Sequence, residues 1–370
     1  MENPRQSGTR VIFVQPAYPH YRETFFRRVF SSSNVSIELY YTARDGSVKE
    51  EEGGFATALG QLKPVPFGLF WQSGALSIPF MRGDIFAMTG SPRIVSNLLL
   101  AIKARLKGAR IIWWGHYWSA TSKPWRFALR VKMMRLADAL LFYTDQEVEE
   151  YKVKFGATDK RPISALNNGI DVEPIQASRD LPFEVEKRPR DLLFIGRITE
   201  KSELGLVIKA LAQPSCSAVT LDVIGAGELL QRYVDLAEQL GVADRIVWHG
   251  ANTDEAFIGS VANRCKLFIY PGAVGLSLIH ALAYGLPVIV HDDRWKHMPE
   301  IAALEPGKNG NVFKLGDVES MAKVVAQTLQ SSSVMKKMSE AAVASVDTRY
   351  NTQVMAQRFL AFVQRINPSG

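Results

Sequence analysis

The chain has 370 residues, 47% of them hydrophobic and 22% charged, with only two cysteines. That composition excludes a disordered or disulfide-stapled protein and suits two globular domains of ordinary size. The net charge of +7 is uneven: residues 1–172 hold 23 Lys and Arg against 15 Asp and Glu, and the remainder holds 21 against 22.

A basic half points to an anionic partner such as membrane headgroups, a polyphosphate or nucleic acid, or to a merely solvated surface. No window reaches ~18 uninterrupted apolar residues, so no transmembrane helix is expected. MENPRQSGTR lacks the apolar core of a secretory signal. Cys216 and Cys265 show no CxxC and no metal spacing, which suits a reducing compartment.

In chain order, Arg10 to Val14 reads as a first strand, ending at Gln15-Pro16. Tyr18-Pro19-His20-Tyr21-Arg22 is a polar-aromatic loop, followed by a helix over Glu23 to Val29 and a strand over Val35 to Tyr41. Ala43 to Lys63, with its glycines and Glu50-Glu51-Glu52, reads as a mobile insertion. Val65 to Met81 is apolar but broken by Gly and Pro. It is either a lipid- or acceptor-facing loop or a core cover. Strands over Asp84 to Thr89, Arg110 to Trp114, Ala139 to Tyr143 and Ile163 to Leu166 alternate with helices over Ile94 to Leu106, Lys123 to Leu136 and Asp145 to Phe155. Gly115-His116-Tyr117-Trp118-Ser119 lies at a strand's C-terminal end. The Lys123–Arg135 helix mixes cations with Trp125, Phe127, Leu129, Val131 and Met134. It could lie on an anionic membrane or turn its apolar face to the core.

Residues 173–190 carry three prolines and a charge run without sustained period, and read as an interdomain linker. A second βα series begins at Asp191 and runs through Leu192 to Ile195, the turn Gly225-Ala226-Gly227 and three helices that end near Gln364. Tyr270 to His291 decodes most fully. A strand ends at Tyr270, Pro271 to Gly275 is a glycine turn, Leu276 to Tyr284 is a helix closed by Gly285 and Pro287, and Val288 to Val290 is the next strand. Such a helix start favours an anion, typically phosphate. Two α/β series separated by a linker imply two Rossmann-like, doubly wound domains facing across a cleft.

These stretches, in this order, resemble family-4 glycosyltransferases of the GT-B fold. The motifs are Asn168-Gly169-Ile170-Asp171, Gly196-Arg197 with Lys201, Gly225-Ala226-Gly227, Tyr270 to His291, and Pro299-Glu300 before Gly310. Trp114-Gly115-His116 and Pro19 to Arg22 resemble the N-domain motifs of a bacterial surface-polysaccharide branch. The resemblance implies an acceptor-binding domain over 1–172, a nucleotide-sugar-binding domain over 191–349, and a C-terminal helix over 350–366 that returns to the first domain. It implies retaining, metal-independent transfer from a nucleotide-sugar to a glycan acceptor, lipid-linked in the reading favoured here. The protein would then be peripheral on the inner membrane face, without nucleic acid and without a cofactor. The alternatives are a non-catalytic nucleotide-sugar-binding protein and another GT-B activity such as a nucleotide-sugar epimerase.

The resemblance assigns catalysis to His116, Arg197 and Lys201. It assigns the donor to Gly272, Val274, Gly275, Leu276 and His280, and the acceptor to Tyr18, His20, Tyr21 and Arg22. Two departures stand out. The family's two glutamates, eight positions apart, are here Gly272 and His280. Lys201 follows Arg197 by four residues where five is usual, so Ser202 competes for the lysine's place.

Overall fold

The computed structural model describes residues 8–43, 48, 54–117 and 124–367. In chain order these form β1 (Thr9–Gln15), α1 (Glu23–Phe30), β2 (Val35–Thr42), β3 (Ala56–Leu59), β4 (Leu62–Val65), β5 (Leu69–Gln72), β6 (Ile85–Thr89), α2 (Val95–Leu106), β7 (Arg110–Trp114), α3 (Pro124–Met134), β8 (Ala139–Phe142), α4 (Asp145–Phe155) and β9 (Ile163–Ala165). There follow α5 (Glu173–Ser178), β10 (Arg190–Ile195), α6 (Gly205–Leu211), β11 (Leu221–Ile224), α7 (Leu230–Gln239), β12 (Ile246–Gly250), α8 (Glu255–Ala262), β13 (Cys265–Tyr270), α9 (Leu276–Ala283), β14 (Val288–His291), β15 (Gly310–Phe313), α10 (Val318–Leu329), α11 (Ser332–Arg349) and α12 (Thr352–Ile366).

The chain divides into two units. The first holds residues up to Asn168 together with Thr352 onward, and the second runs from Gly169 to Asn351. In the first unit a seven-stranded parallel sheet has the order β3-β2-β1-β6-β7-β8-β9. Its strands are apolar on both sides because helices cover both faces. On one face Phe13, Phe25 and Phe26 pack with Met355, Phe359 and Phe362 of α12. On the other, residues of α2, α3 and α4 pack on Ile12, Phe86, Ile111 and Phe142. Burial of each large apolar side chain contributes about 1.5–3 kcal/mol, which ties α12 to this unit despite its distance in sequence.

In the second unit a six-stranded parallel sheet has the order β12-β11-β10-β13-β14-β15. Leu192-Leu193-Phe194 and Val288-Ile289-Val290 are fully enclosed runs, buried at every position.

Several expectations need correction. Residues 173–190 are not a free linker. Ile175, Phe183 and Val185 enter the core of the second unit, and Arg188 is buried with its guanidinium donating to the carbonyls of Ala262 and Cys265. Its three spaced apolar residues are too sparse to show a period. The described part of 43–63 is not an insertion of loop. Ala56–Leu59 extends the sheet as its edge strand, and Leu62–Val65 pairs antiparallel with Leu69–Gln72. Ala75, Ile78 and Phe80 from the apolar stretch after it are core. The N-terminal MENPRQS, Glu50-Glu51-Glu52, Trp118-Ser119 and Lys123 lie outside the described residues.

Candidate functional site

The sheet of the second unit reverses strand order between β10 and β13. In open α/β sheets, ligands bind beyond the strand C-termini at such a reversal. Two loops meet there. Gly196-Arg197 leaves β10, and Pro271 to Gly275 leaves β13 for α9. Arg197 is exposed. Burial pushes the Tyr270 hydroxyl above its ordinary pKa, while the charge of Arg197 works against that shift. Lys201 is also exposed, whereas Ser202 is fully buried and its hydroxyl bonds the backbone of Thr199. Of the two competitors for the lysine's place, Lys201 is the one with a free-standing side chain.

Gly272 is buried directly beneath this loop. A Cβ there would stand 2.8 Å from the carbonyl carbon of Ser202 and 2.9 Å from that of Lys201, with the Lys201 oxygen closer still. The Lys201 carbonyl also accepts the Ala273 N–H at 3.1 Å. The loop backbone occupies the volume that a side chain at 272 would need. Gly225 and Gly227 have a similar cause, since a Cβ at either would collide with the carbonyls of Gly196 or Ile198. They are packing glycines beneath the Arg197 loop.

Within the turn, Val274 is fully buried. Its N–H donates to His297 Nδ1 at 3.2 Å and its carbonyl accepts from Met298 at 2.9 Å. Val274 therefore braces the turn and offers no amide to a ligand, contrary to its assignment as a donor contact. His297 donates from Nε2 to the His291 carbonyl at 2.9 Å, which sets its tautomer, and the two rings stack at 3.7 Å. Gly275 is the N-cap of α9, with no side chain capping the helix. The open first-turn N–H groups thus begin at Gly275 and Leu276. The Glu300 carboxylate lies beside Gly275.

His280 is also not free to meet a ligand through Nε2, which stands 2.8 Å from Glu255 Oε1. The Tyr284 hydroxyl donates to the same oxygen at 2.5 Å. Burial works to raise the Glu255 carboxyl, but His280 and Tyr284 outweigh it and hold the pKa below its ordinary value. Position 280 thus lacks its own carboxylate but holds one from α8.

In the first unit, Arg22 follows β1, His116 follows β7 and Tyr143 follows β8. The Arg22 guanidinium lies 4.8 Å over the Trp114 ring, 5.6 Å from Tyr21 and 5.8 Å from Tyr143. The His116 and Tyr143 ring centroids are 4.5 Å apart. His116 Nδ1 is 2.6 Å from Glu147 Oε1, and Glu147 Oε2 accepts the Tyr143 N–H at 3.1 Å. Glu147 is buried, so it fixes the imidazole with Nε2 directed away from the carboxylate. His20 is exposed, 3.8 Å from Glu23, and caps no helix; the N-cap of α1 is Arg22. Tyr18 is a core residue, packed among Phe26, Tyr41 and Phe55. Its assignment to the acceptor fails because its ring turns inward from the loop.

Residues 179–344, nearly all of the second unit, match the family described as Glycosyl transferases group 1. The second unit is a group 1 glycosyl transferase domain. N-acetyl-alpha-D-glucosaminyl L-malate synthase of Bacillus anthracis is 22% identical over 205 residues, 54% of this chain and 52% of that protein. The chain thus spans about half the length of the curated relatives it matches. Among solved structures, the lipopolysaccharide outer core galactosyltransferase WaaB aligns over 96% of this chain and 99% of its own, with a TM-score of 0.69 at 15% identity. Anabaena Alr3699/HepE, solved with UDP, aligns over 96% and 100% with a TM-score of 0.67 at 15% identity. The shared architecture is the GT-B fold.

Within the group 1 domain, Arg197, Lys201, Gly275 and Leu276 come to one strand reversal, while Gly272 and Val274 lie beneath it. Sequence reading missed Glu255, Glu147, Tyr143 and His297. The only local signal was the spacing of His280 and Tyr284, which puts both on one helix face. Nothing in the sequence says which carboxylate meets that face. Among the described residues, no group of three or more His, Cys, Asp or Glu could hold a metal ion.

Proposed function

We propose that this protein is a retaining, metal-independent glycosyltransferase. It moves a sugar from a nucleotide-sugar to a lipid-linked glycan acceptor in polysaccharide or glycolipid synthesis, as a peripheral protein on the inner membrane face. The observation that carries the reading lies in the group 1 domain. Two exposed cations, Arg197 and Lys201, accompany an uncapped helix start at its strand reversal. That combination neutralises a departing nucleoside diphosphate with protein groups alone. Each charge-assisted bond there is worth about 1.5–3 kcal/mol. HepE, of the same fold, was solved with UDP, which supports a nucleotide donor. In the first unit, His116 held by Glu147 is suited to stabilise positive charge developing on the donor sugar, and Arg22 with Tyr21 and Tyr143 is suited to an anionic acceptor head.

The test is transfer from radiolabelled UDP- and GDP-sugars to a panel of polyprenyl-diphosphate-linked saccharides, with and without EDTA. The expected result is a product of retained anomeric configuration that survives EDTA, with Arg197→Ala slower by about 10²-fold or more. Inverted product or full loss in EDTA would overturn this mechanism. Tight donor binding without turnover on any acceptor would instead support a non-catalytic binding protein, which the side-chain-free position 272 favours.

A further inference from the structure

Residues 292–298, DDRWKHM, leave β14 and form a shelf beside the start of α9. The shelf is tied at both ends. The Asp292 N–H donates to the Phe313 carbonyl at 2.9 Å, and the Asp292 carboxylate accepts the Leu315 N–H at 3.0 Å. The Asp293 carboxylate accepts the Trp295 N–H at 3.1 Å. At the other end Val274 binds it twice, through its N–H to His297 Nδ1 and through its carbonyl to the Met298 N–H. This ordered backbone nevertheless turns two large apolar side chains to solvent: Trp295 is 44% exposed and Met298 56%. The Arg294 guanidinium lies 4.0 Å over the Trp295 ring and holds its orientation. Single exposed apolar residues are common on surfaces. What sets these apart is where they stand.

Met298 borders the open start of α9. A Cβ on Gly275 would lie 3.3 Å from Met298 Cγ, 3.5 Å from its Cβ and 3.8 Å from Glu300 Oε2. A ligand on the N–H groups that begin at Gly275 therefore meets a thioether side chain and one carboxylate. Strand order decides which arm of a nucleotide-sugar this is. The strand before α9 is β13, with β10, β11 and β12 on one side and β14 on the other. Arg197 follows β10, and Glu255, whose carboxylate holds His280, follows β12. A ribose with two adjacent hydroxyls suits the side that carries this carboxylate. The donor sugar then lies on the β14 side, against Met298, where position 272 supplies no side chain.

We propose that the donor sugar presents a methyl group to Met298, as a 6-deoxyhexose or an N-acetylhexosamine can and glucose or galactose cannot. The inference rests on the nucleotide-sugar donor proposed for this domain. A hydroxyl set against Met298 loses water and gains no partner, whereas a methyl there leaves water for a polarisable sulfur. Trp295, farther out on the same shelf, offers a flat apolar surface to the C–H side of the sugar ring.

The test is isothermal titration of the full chain with the glucose, N-acetylglucosamine and 6-deoxyglucose derivatives of UDP and GDP. Each affinity is referred to that of its own nucleoside diphosphate. One methyl-bearing sugar should bind roughly tenfold tighter than glucose or more, since a buried methyl is worth about fourfold and an unpaired hydroxyl costs about as much again. The sugar that does so places the methyl at C6 or on the acetamido group. Met298→Gln, close in size but polar, should erase that ratio, and Met298→Leu should keep it. Trp295→Ala should weaken every donor relative to its nucleoside diphosphate. Thermal melts check that the variants are folded. Equal affinity for glucose and both methyl-bearing sugars would overturn the proposal, and so would a preference that Met298→Gln retains. If neither UDP nor GDP binds, the donor reading fails and this inference with it. Titration needs neither acceptor nor turnover, so a failure here is separable from failure of the transfer assay.

Discussion

Substitution of Gly272 by alanine addresses the least usual part of the site. The new Cβ would meet the Ser202 and Lys201 carbonyl carbons at 2.8 and 2.9 Å, whereas ordinary contact begins near 3.4 Å. The Lys201 oxygen lies nearer still, so the Lys201–Ser202 backbone must retreat by more than roughly 1 Å to reach that distance. The hydrogen bond from Ala273 N–H to the Lys201 carbonyl, 3.1 Å long, would be stretched or lost. Overpacking costs about 1–3 kcal/mol and the bond contributes about 1 kcal/mol. The expected destabilisation is therefore about 2–4 kcal/mol, a fall of roughly 5–15 °C in melting temperature for a unit of this size. Scanning calorimetry or circular dichroism melts would read it. Gly307→Ala is the control, since a Cβ there meets nothing within 4 Å and bears only the strain of φ 78, about 1–2 kcal/mol. Donor affinity should fall in Gly272→Ala because Lys201 is displaced. Gly272→Glu should be worse and should not restore a glutamate's function. If Gly272→Ala melts within a degree of the parent and binds donor equally, the packing argument is wrong.

Glu147→Gln should slow transfer at least tenfold while leaving donor affinity intact. It removes the charged partner from His116 Nδ1, a bond worth about 1.5–3 kcal/mol, in the unit that does not contain the group 1 domain. An unchanged turnover number would remove His116 from the mechanism. Stability should also depend on pH through the stacked histidines. Burial, with the neighbouring His297, pushes His291 down to about 4, and burial likewise lowers His297. The folded state therefore prefers both rings neutral. Their contribution is complete above pH about 6.5 and is lost as pH falls toward 4, on the order of 3 kcal/mol for His291. Denaturant unfolding of the parent and His291→Gln between pH 4 and 8 measures it. Parallel curves for the two proteins would rule it out.

Most strands and helices were legible because parallel strands buried on both faces are continuous apolar runs, and the helices between them keep their 3.6-residue period. The second unit was clearest, where Gly285 and Pro287 punctuate α9 and Gly225 and Gly227 mark close backbone approach. Residues 173–190 were misread because isolated anchors such as Phe183 have no period to betray them. Tyr18 was misplaced because a loop sequence does not say which of its aromatics turns inward. The resemblance named Gly272 and His280 as departures but gave no cause for either.

The sequence by itself determined the two α/β series, the order of the glycine turns and the cations Arg197 and Lys201, all properties of residues close together in the chain. Tertiary structure alone decided that the Lys201 backbone fills the space above Gly272, that α8 lends Glu255 to His280, and that Glu147 holds His116. These are contacts between elements 25 to 71 residues apart. They are set by where the sheet order brings strand ends together, and no local pattern encodes that.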